Sequence, residues 1–153
     1  STRLGEIQVA KARLLAEKGR NAEAVATLEA MLEVGSVGAS RKAEALLTLG
    51  NLKLKAGEEK AALPYFERVY VAYGKFGELN AQAYLKRGET LESLEMDREA
   101  LEVYRELAGR RDLERFEEAG IAAEKVAKLE AILPPEPEPE PATTEPASEG
   151  RDT

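Results

Sequence analysis

The 153-residue sequence contains neither cysteine nor histidine, and these absences narrow the chemistry open to the chain. They exclude disulfides, thiolate nucleophiles, imidazole bases and zinc sites of the usual ligand types. The sequence also lacks an apolar run long enough to cross a bilayer, a visible secretory signal peptide, a lysine/arginine run and a glycine-rich phosphate loop. We therefore expect no metal or other cofactor, no nucleic-acid partner and no membrane insertion.

The final segment, 134–153, differs in composition from the rest of the chain. It holds six of the seven prolines and six acidic residues against one basic residue, so the chain before it carries only −2 of the net charge of −7. Alternating Pro and Glu favours an extended polyproline conformation that charge repulsion stiffens. We expect a disordered or extended acidic tail, which acts either as a spacer or as a segment that docks into a groove of this chain or of a neighbour.

An imperfect repeat with a period of 38 precedes this tail. Each copy has an alanine, a large apolar residue four positions later and another seven positions later, and this spacing places all three on one helical face. A further small residue comes twelve positions before each alanine. The three copies are Ala12, Ala24, Leu28 and Met31; Gly50, Ala62, Phe66 and Val69; and Gly88, Ala100, Tyr104 and Leu107.

A break separates two helical patterns within each copy. It falls at Gly19 and Gly57, and in the third copy at Glu95, where Asp97 is a candidate N-cap. Each copy therefore predicts a helix A, a tight turn, a helix B and a longer linker. The small residues allow the two helices to approach closely, and only stacked hairpins can bury the whole apolar face.

The two ends of the repeat region predict different surroundings. After the third copy, Asp112 is a candidate N-cap of a terminal helix over 112–133, whose apolar stripe is Ala122, Val126, Leu129 and Leu133. The first helix has no preceding polar cap, which a helical stack usually needs, so we expect further repeats before residue 1 or a partner at this edge. Within the second copy, Pro64 should kink or delay helix B.

This pattern resembles the tetratricopeptide repeat (TPR) family, most closely in the segment "AEALLTLGNLKLKAGEEKAALPYFERV" at 43–69. The resemblance implies an all-α fold, a right-handed α-solenoid of about seven helices. Its repeats would span 5–38, 43–76 and 81–111, with a capping helix over 112–133 and the tail over 134–153. Leu49 fits the family pattern, whereas Lys11 and Arg87, at the equivalent positions of the first and third copies, depart from it. The linkers are also longer than the family's commonest period implies.

The resemblance also implies a concave groove, lined by the A helices, that binds an extended peptide or a helix of a partner protein. Arg13 and Lys55 would attract a carboxylate there, whereas Glu89 and Glu92 would favour a basic segment. An apolar floor would come from Val9, Leu47 and Leu85. The groove residues carried over from the family are Glu6, Val9, Arg13 and Glu17 in the first copy, Glu44, Leu47, Asn51 and Lys55 in the second, and Gln82, Leu85, Glu89 and Glu92 in the third.

Six of the eight aromatic residues lie between Tyr65 and Tyr84. Phe66, Tyr70 and Tyr73 share a helical face, which predicts packing between the second and third hairpins. The alternative is a contact patch of Tyr65, Tyr70 and Tyr73, because tyrosine is enriched at interfaces. Tyr65 lies off the shared face and is expected to be the most exposed of the three.

We therefore expect a protein-binding scaffold or adaptor without enzymatic activity. Lys86, Glu89 and Glu92 could form an acid–base group on one helix, but charges at this spacing are ordinary on an exposed helix. The alternative is a structural module that self-assembles through the N-terminal edge or the tyrosine patch. Resemblance to envelope proteins with long linkers and Pro-Glu tails favours the bacterial periplasm or cell envelope, and the cytoplasm stays open as the other compartment.

Overall fold

Helices account for all the regular secondary structure in the computed structural model, which describes residues 2–143. Within that range there are seven α-helices, one short 3₁₀ turn and no strand, in agreement with the predicted all-α class. The α-helices are α1 (Thr2–Glu17), α2 (Asn21–Leu32), α3 (Ala39–Lys55), α4 (Glu59–Ala72), α5 (Gly77–Ser93), α6 (Asp97–Gly109) and α7 (Glu117–Ile132), and the 3₁₀ turn is Arg111–Leu113.

Each α-helix packs against the next one in the chain, which gives three hairpins followed by α7. The odd-numbered helices also contact one another in order, α1 with α3, α3 with α5, and α5 with α7. Within the described part of the chain, the even-numbered helices make no comparable contacts with each other. The odd-numbered helices therefore form a continuous row, and the stack is wider on the side of the even-numbered helices.

The tight turns share one backbone conformation, which recurs with the period of the sequence. Gly19, Gly57 and Glu95 all have a positive φ, of 76°, 78° and 60°. In each turn this residue donates its N–H to the carbonyl three positions back, and the next residue donates to the carbonyl five back, as in Arg20 to Leu15. These paired bonds form a Schellman motif, which satisfies the last carbonyls of helix A. The predicted breaks between the helices are thereby confirmed.

Close approach of the paired helices depends on the small residues of helix A. A Cβ placed on Gly50 would lie 2.7 Å from Cδ1 of Phe66, and one on Gly88 would lie 2.7 Å from Cδ1 of Tyr104. Both aromatic side chains are fully buried, so their rings fill the space that a side chain on the glycine would need. The alanines of the repeat, at 24, 62 and 100, are also fully buried in all three hairpins.

Two clusters of buried side chains form the core, and α3 contributes to both. One cluster contains side chains of the first hairpin together with Ala45 and Leu49 of α3. The other contains Leu46 of α3 together with side chains of α4, the third hairpin and α7. The half-buried side chains of Leu32 and Tyr65 pack against both clusters. Apolar contact therefore runs through the stack from α1 to α7.

A buried amide fixes the linker between α4 and α5, and no sequence pattern predicted it. The Nδ2 of Asn80 donates to the carbonyls of Tyr73 and Phe76, at 2.9 and 2.8 Å. Its Oδ1 accepts a hydrogen bond of 3.0 Å from Arg110, at the end of the third hairpin. Asn80 thus joins the linker before α5 to the linker after α6.

Two predicted N-caps are wrong, and so is the predicted start of the terminal helix. Asp97 is the first residue of α6, whose N-cap is Met96, and Asp112 lies in the 3₁₀ turn rather than at the start of a helix. The terminal helix begins at Glu117, because the 3₁₀ turn before it brings Leu113 into the core. Pro64 does not delay α4, since the starts of α2, α4 and α6 are separated by one full period of the repeat each.

The beginning of the acidic tail has no regular secondary structure. Residues 134–143 are exposed, and they start beside α6, where Arg98 donates to the carbonyl of Pro134 at 2.7 Å. Arg105, also on α6, lies 3.5 Å from a carboxylate oxygen of Glu136. The expectation of a disordered or extended tail also covers residues 144–153, which lie outside the described residues.

Candidate partner-binding groove

The first part of the candidate groove lies where α1 and α3 run next to each other. Arg13, Asn51 and Lys55, three of the predicted groove residues, line one open cavity of about 430 Å³. Two cations, one carboxylate, an amide and a hydroxyl therefore border a single space. The other residues that line it are Ala16, Glu17, Thr48 and Leu52.

A second cavity, of about 190 Å³, lies further along the same row of helices, between α3 and α5. Glu89 is the predicted groove residue that it contains. The two cavities hold equivalent places in the repeat and both lie along the row of odd-numbered helices, and we call them together the candidate groove. The second cavity is lined by Leu54, Glu59, Lys86, Glu89, Thr90 and Ser93, of which Lys86, Glu89 and Ser93 come one repeat after Thr48, Asn51 and Lys55.

The predicted apolar floor of the groove lies mostly inside the core. Val9 and Leu47 are buried, each in one of the two apolar clusters, and only Leu85 is half-buried. The odd-numbered helices approach so closely that these side chains meet neighbouring helices instead of a ligand. Val9 and Leu47 therefore contribute almost none of the exposed surface of the groove.

Ion pairs cross from α1 to α3 at the end of the first cavity. Arg13 lies 3.0 Å from one carboxylate oxygen of Glu44, and Arg41 donates to the other oxygen at 2.8 Å. Arg41 also donates to Glu6 at 2.6 Å, and its hydrogen bond to Glu44 raises the pKa of its guanidinium. A ligand carboxylate would compete with Glu44 for Arg13, whereas Lys55 forms no ion pair with another described residue.

Glu92 connects α5, α6 and α7 instead of facing a ligand. Its carboxylate accepts hydrogen bonds from the hydroxyl of Tyr104 and, at 2.9 Å, from Nζ of Lys125. Burial raises the pKa of Glu92, but these two hydrogen bonds and the charge of Lys125 outweigh it and hold the pKa below the usual glutamate value. Burial and the bond to Glu92 raise the pKa of Tyr104, so this hydroxyl stays a donor.

The tyrosines of the proposed contact patch are largely occupied within the fold. Tyr70 is only 9% exposed, stacks on Tyr84 with ring centroids 3.6 Å apart, and accepts a 3.0 Å hydrogen bond from Arg87. Burial raises the pKa of Tyr70 to about 12. Tyr65 and Tyr73 are half-buried, and the hydroxyl of Tyr65 donates to Glu29 at 2.7 Å. The predicted packing between the second and third hairpins is therefore present.

Some residues of the groove were not predicted. Thr48 and Ala16 line the first cavity, and each is next in sequence to a residue that the family pattern supplies, Leu47 and Glu17. The family pattern supplies a residue at every third or fourth position of each A helix. It therefore misses Ala16 and Thr48, which lie next to supplied residues and also border the space between α1 and α3. The period of the repeat could have identified Thr48, because Thr48 lies one repeat before Lys86, which lines the second cavity.

No protein-family model matches the sequence, and no curated protein matches it significantly.

Among residues 2–143, no group of three or more acidic side chains is placed to hold a metal ion. Over the same residues, no helix combines the length and the apolar character needed to span a membrane.

Proposed function

We propose that this chain is a TPR-like right-handed solenoid that holds an extended segment of a partner protein along the groove of its odd-numbered helices. The observation that carries this proposal is the first cavity, where Arg13, Asn51 and Lys55 meet at one open site. Their polar groups come from two different helices, so the rigid stack fixes their spacing. Binding in this way needs no cofactor and leaves the chemistry of the partner unchanged.

The polar groups among the lining residues of the groove favour a particular kind of segment. Asn51 can donate to and accept from the backbone of an extended peptide, because its amide has both functions. An acidic side chain of the peptide would lie near Lys55 and Arg13, and a basic one further along, near Glu89. Charges placed in this order would set the direction and register of the bound segment more than its affinity.

Charge reversal inside and outside the groove tests this proposal. A displayed library of extended peptides is panned on the immobilised chain, and the selected peptides are measured against Lys55→Glu and, as a matched control, Lys60→Glu. Lys60 is exposed on α4 and lines neither cavity. We expect the selected peptides to be acidic at one end. They should bind Lys55→Glu about tenfold more weakly than the original chain, a loss of ~1.4 kcal/mol. They should bind Lys60→Glu with the same affinity as the original chain. Equal binding to all three proteins would refute the site.

A further inference from the structure

The outer face of α1 carries an exposed apolar stripe that the groove does not use. Ile7 and Leu14, two helical turns apart, are each 57% exposed. With Ala10 and Leu15 they line a shallow cavity of about 430 Å³, whose remaining lining residues are Lys11 and Lys18. An adjoining cavity of about 390 Å³ lies where α1 meets α2, and it shares Lys11. No carboxylate of the described residues lines either cavity.

The repeat shows what normally covers such a face. The residues one and two repeats after Ile7 are Ala45 and Ala83, and both are fully buried. The positions equivalent to Leu14 are Leu52 and Thr90, which are also buried. In those hairpins the face is covered by the preceding hairpin, since α2 and α1 pack on α3, and α4 and α3 pack on α5. On α1, nothing among residues 2–143 takes that place.

We propose that the outer face of α1 binds an acidic amphipathic helix of a partner protein, in the position that α2 takes on α3. Apolar residues of the helix would cover Ile7 and Leu14, and its carboxylates would lie beside Lys11 and Lys18. A second copy of the same face fits less well, because pairing it with itself would bring Lys11 and Lys18 of both copies together. Like charges at an interface oppose association.

The sequence of α2 supplies a suitable probe. A labelled peptide of residues 20–34 is acidic, with three glutamates against one arginine, and its apolar side already fits an A helix in this fold. Its binding to the full chain is measured by fluorescence anisotropy. We expect saturable binding, weakened about tenfold or more by Ile7→Glu with Leu14→Glu. Val71→Glu is the matched control, because Val71 is 71% exposed on α4 and lines neither cavity of the proposed face.

A charge swap tests the acidic character of the ligand. A second peptide carries Glu29→Lys and Glu33→Lys, and a second protein carries Lys11→Glu with Lys18→Glu. We expect each change alone to weaken binding and both together to restore it, and we expect added salt to weaken the original pair. Lys55→Glu in the groove should leave peptide binding unchanged, which separates this site from the proposed groove function.

Four outcomes would overturn the proposal. They are the absence of saturable binding, an equal loss with Val71→Glu, no recovery in the charge swap, and a dimer in sedimentation that Leu14→Glu dissociates. The last would identify a second copy as the occupant. Because the substituted side chains are exposed, circular dichroism of each variant should match that of the original chain, so a loss of binding reports on the surface.

Discussion

At the scale of single residues, the repeat pairs a small residue on helix A with a large one on helix B. Gly50 faces Phe66 and Gly88 faces Tyr104, whereas the first hairpin has Ala12 and Leu28 at the equivalent positions. An aromatic ring reaches further across the helix interface than a leucine does. The glycine therefore belongs with the aromatic residue, and the alanine is tolerated only with the smaller partner.

Replacing Gly50 tests this pairing. Gly50→Ala should destabilise the fold by ~1–3 kcal/mol, because the new Cβ would press on the buried ring of Phe66. Gly120→Ala is the control, since Gly120 lies in α7 with open space around it, and it should stabilise by ~0.5–1 kcal/mol through helix propensity. Urea unfolding measures both. In the double variant Gly50→Ala with Phe66→Leu, which copies the first hairpin, the two costs should not add. Purely additive costs would contradict a direct contact.

Glu95 is the one described residue other than glycine that has a positive φ, a conformation that its side chain disfavours. It has the positive φ that glycine provides in the other two turns, and a side chain there costs ~1–2 kcal/mol. Glu95→Gly should therefore stabilise the third turn by about 1 kcal/mol, after part of the relief is lost to the greater freedom of glycine in the unfolded chain. Thermal unfolding measures the change. The same substitution at the exposed helical position Glu102 should destabilise by ~1 kcal/mol, and stabilisation at both positions would argue against the turn as the cause.

At the scale of helices, the sequence predicts most of the fold because the turns depend on local residues. Gly19 and Gly57 mark two turns, and their period locates the third at Glu95. The starts of α6 and α7 escaped prediction because Asp97 and Asp112 look like caps but form no capping hydrogen bond. The bond between Asn80 and Arg110 joins distant linkers, so no local pattern encodes it.

The candidate groove was predictable only in part, for the same reason. The family pattern places Arg13, Asn51 and Lys55 on the A helices, and these residues line one cavity. It does not supply the distance between neighbouring A helices, which decides whether Val9 and Leu47 face a ligand or the core. Those two side chains are buried because the row of odd-numbered helices is closely packed.

Glu92 makes the contact between the third hairpin and α7 dependent on pH. The pKa of Glu92 is lowered in the folded state, so its negative charge stabilises the fold at neutral pH. This contribution is lost as the pH falls below the ordinary glutamate pKa of about 4.5 and then through the lower pKa of the folded state. Glu92→Gln keeps an acceptor for Tyr104 but removes the charge, and should cost ~1 kcal/mol at neutral pH and almost nothing in acid. Urea unfolding as a function of pH measures this. Glu89→Gln, on the exposed side of α5, should leave the acid dependence unchanged; a flattened profile in both variants would contradict the role of Glu92.

At the scale of the whole molecule, the stack is a row of neighbours with no contact between its described ends, α1 and α7. The first hairpin belongs to the smaller apolar cluster and reaches the larger one through α3, Leu32 and Tyr65. In such arrays each hairpin is stabilised by its own contacts and by its neighbours, so opening can begin at an end. The first hairpin also carries the exposed face of α1, which makes it the end most responsive to a bound helix.

Two matched leucine deletions distinguish this behaviour from all-or-none unfolding. Leu28 and Leu107 are both fully buried, one in each apolar cluster, and either change to alanine should cost ~2–5 kcal/mol locally. Hydrogen exchange under native conditions should show Leu28→Ala accelerating exchange mainly in α1 and α2, and Leu107→Ala accelerating it in α5, α6 and α7. If both variants raise exchange equally along the chain, the stack unfolds as one unit, and α1 and α2 do not open separately from the rest. Binding of the acidic helix peptide to the outer face of α1 should slow exchange in the first hairpin of the Leu28→Ala variant, because it restores a neighbour to that end.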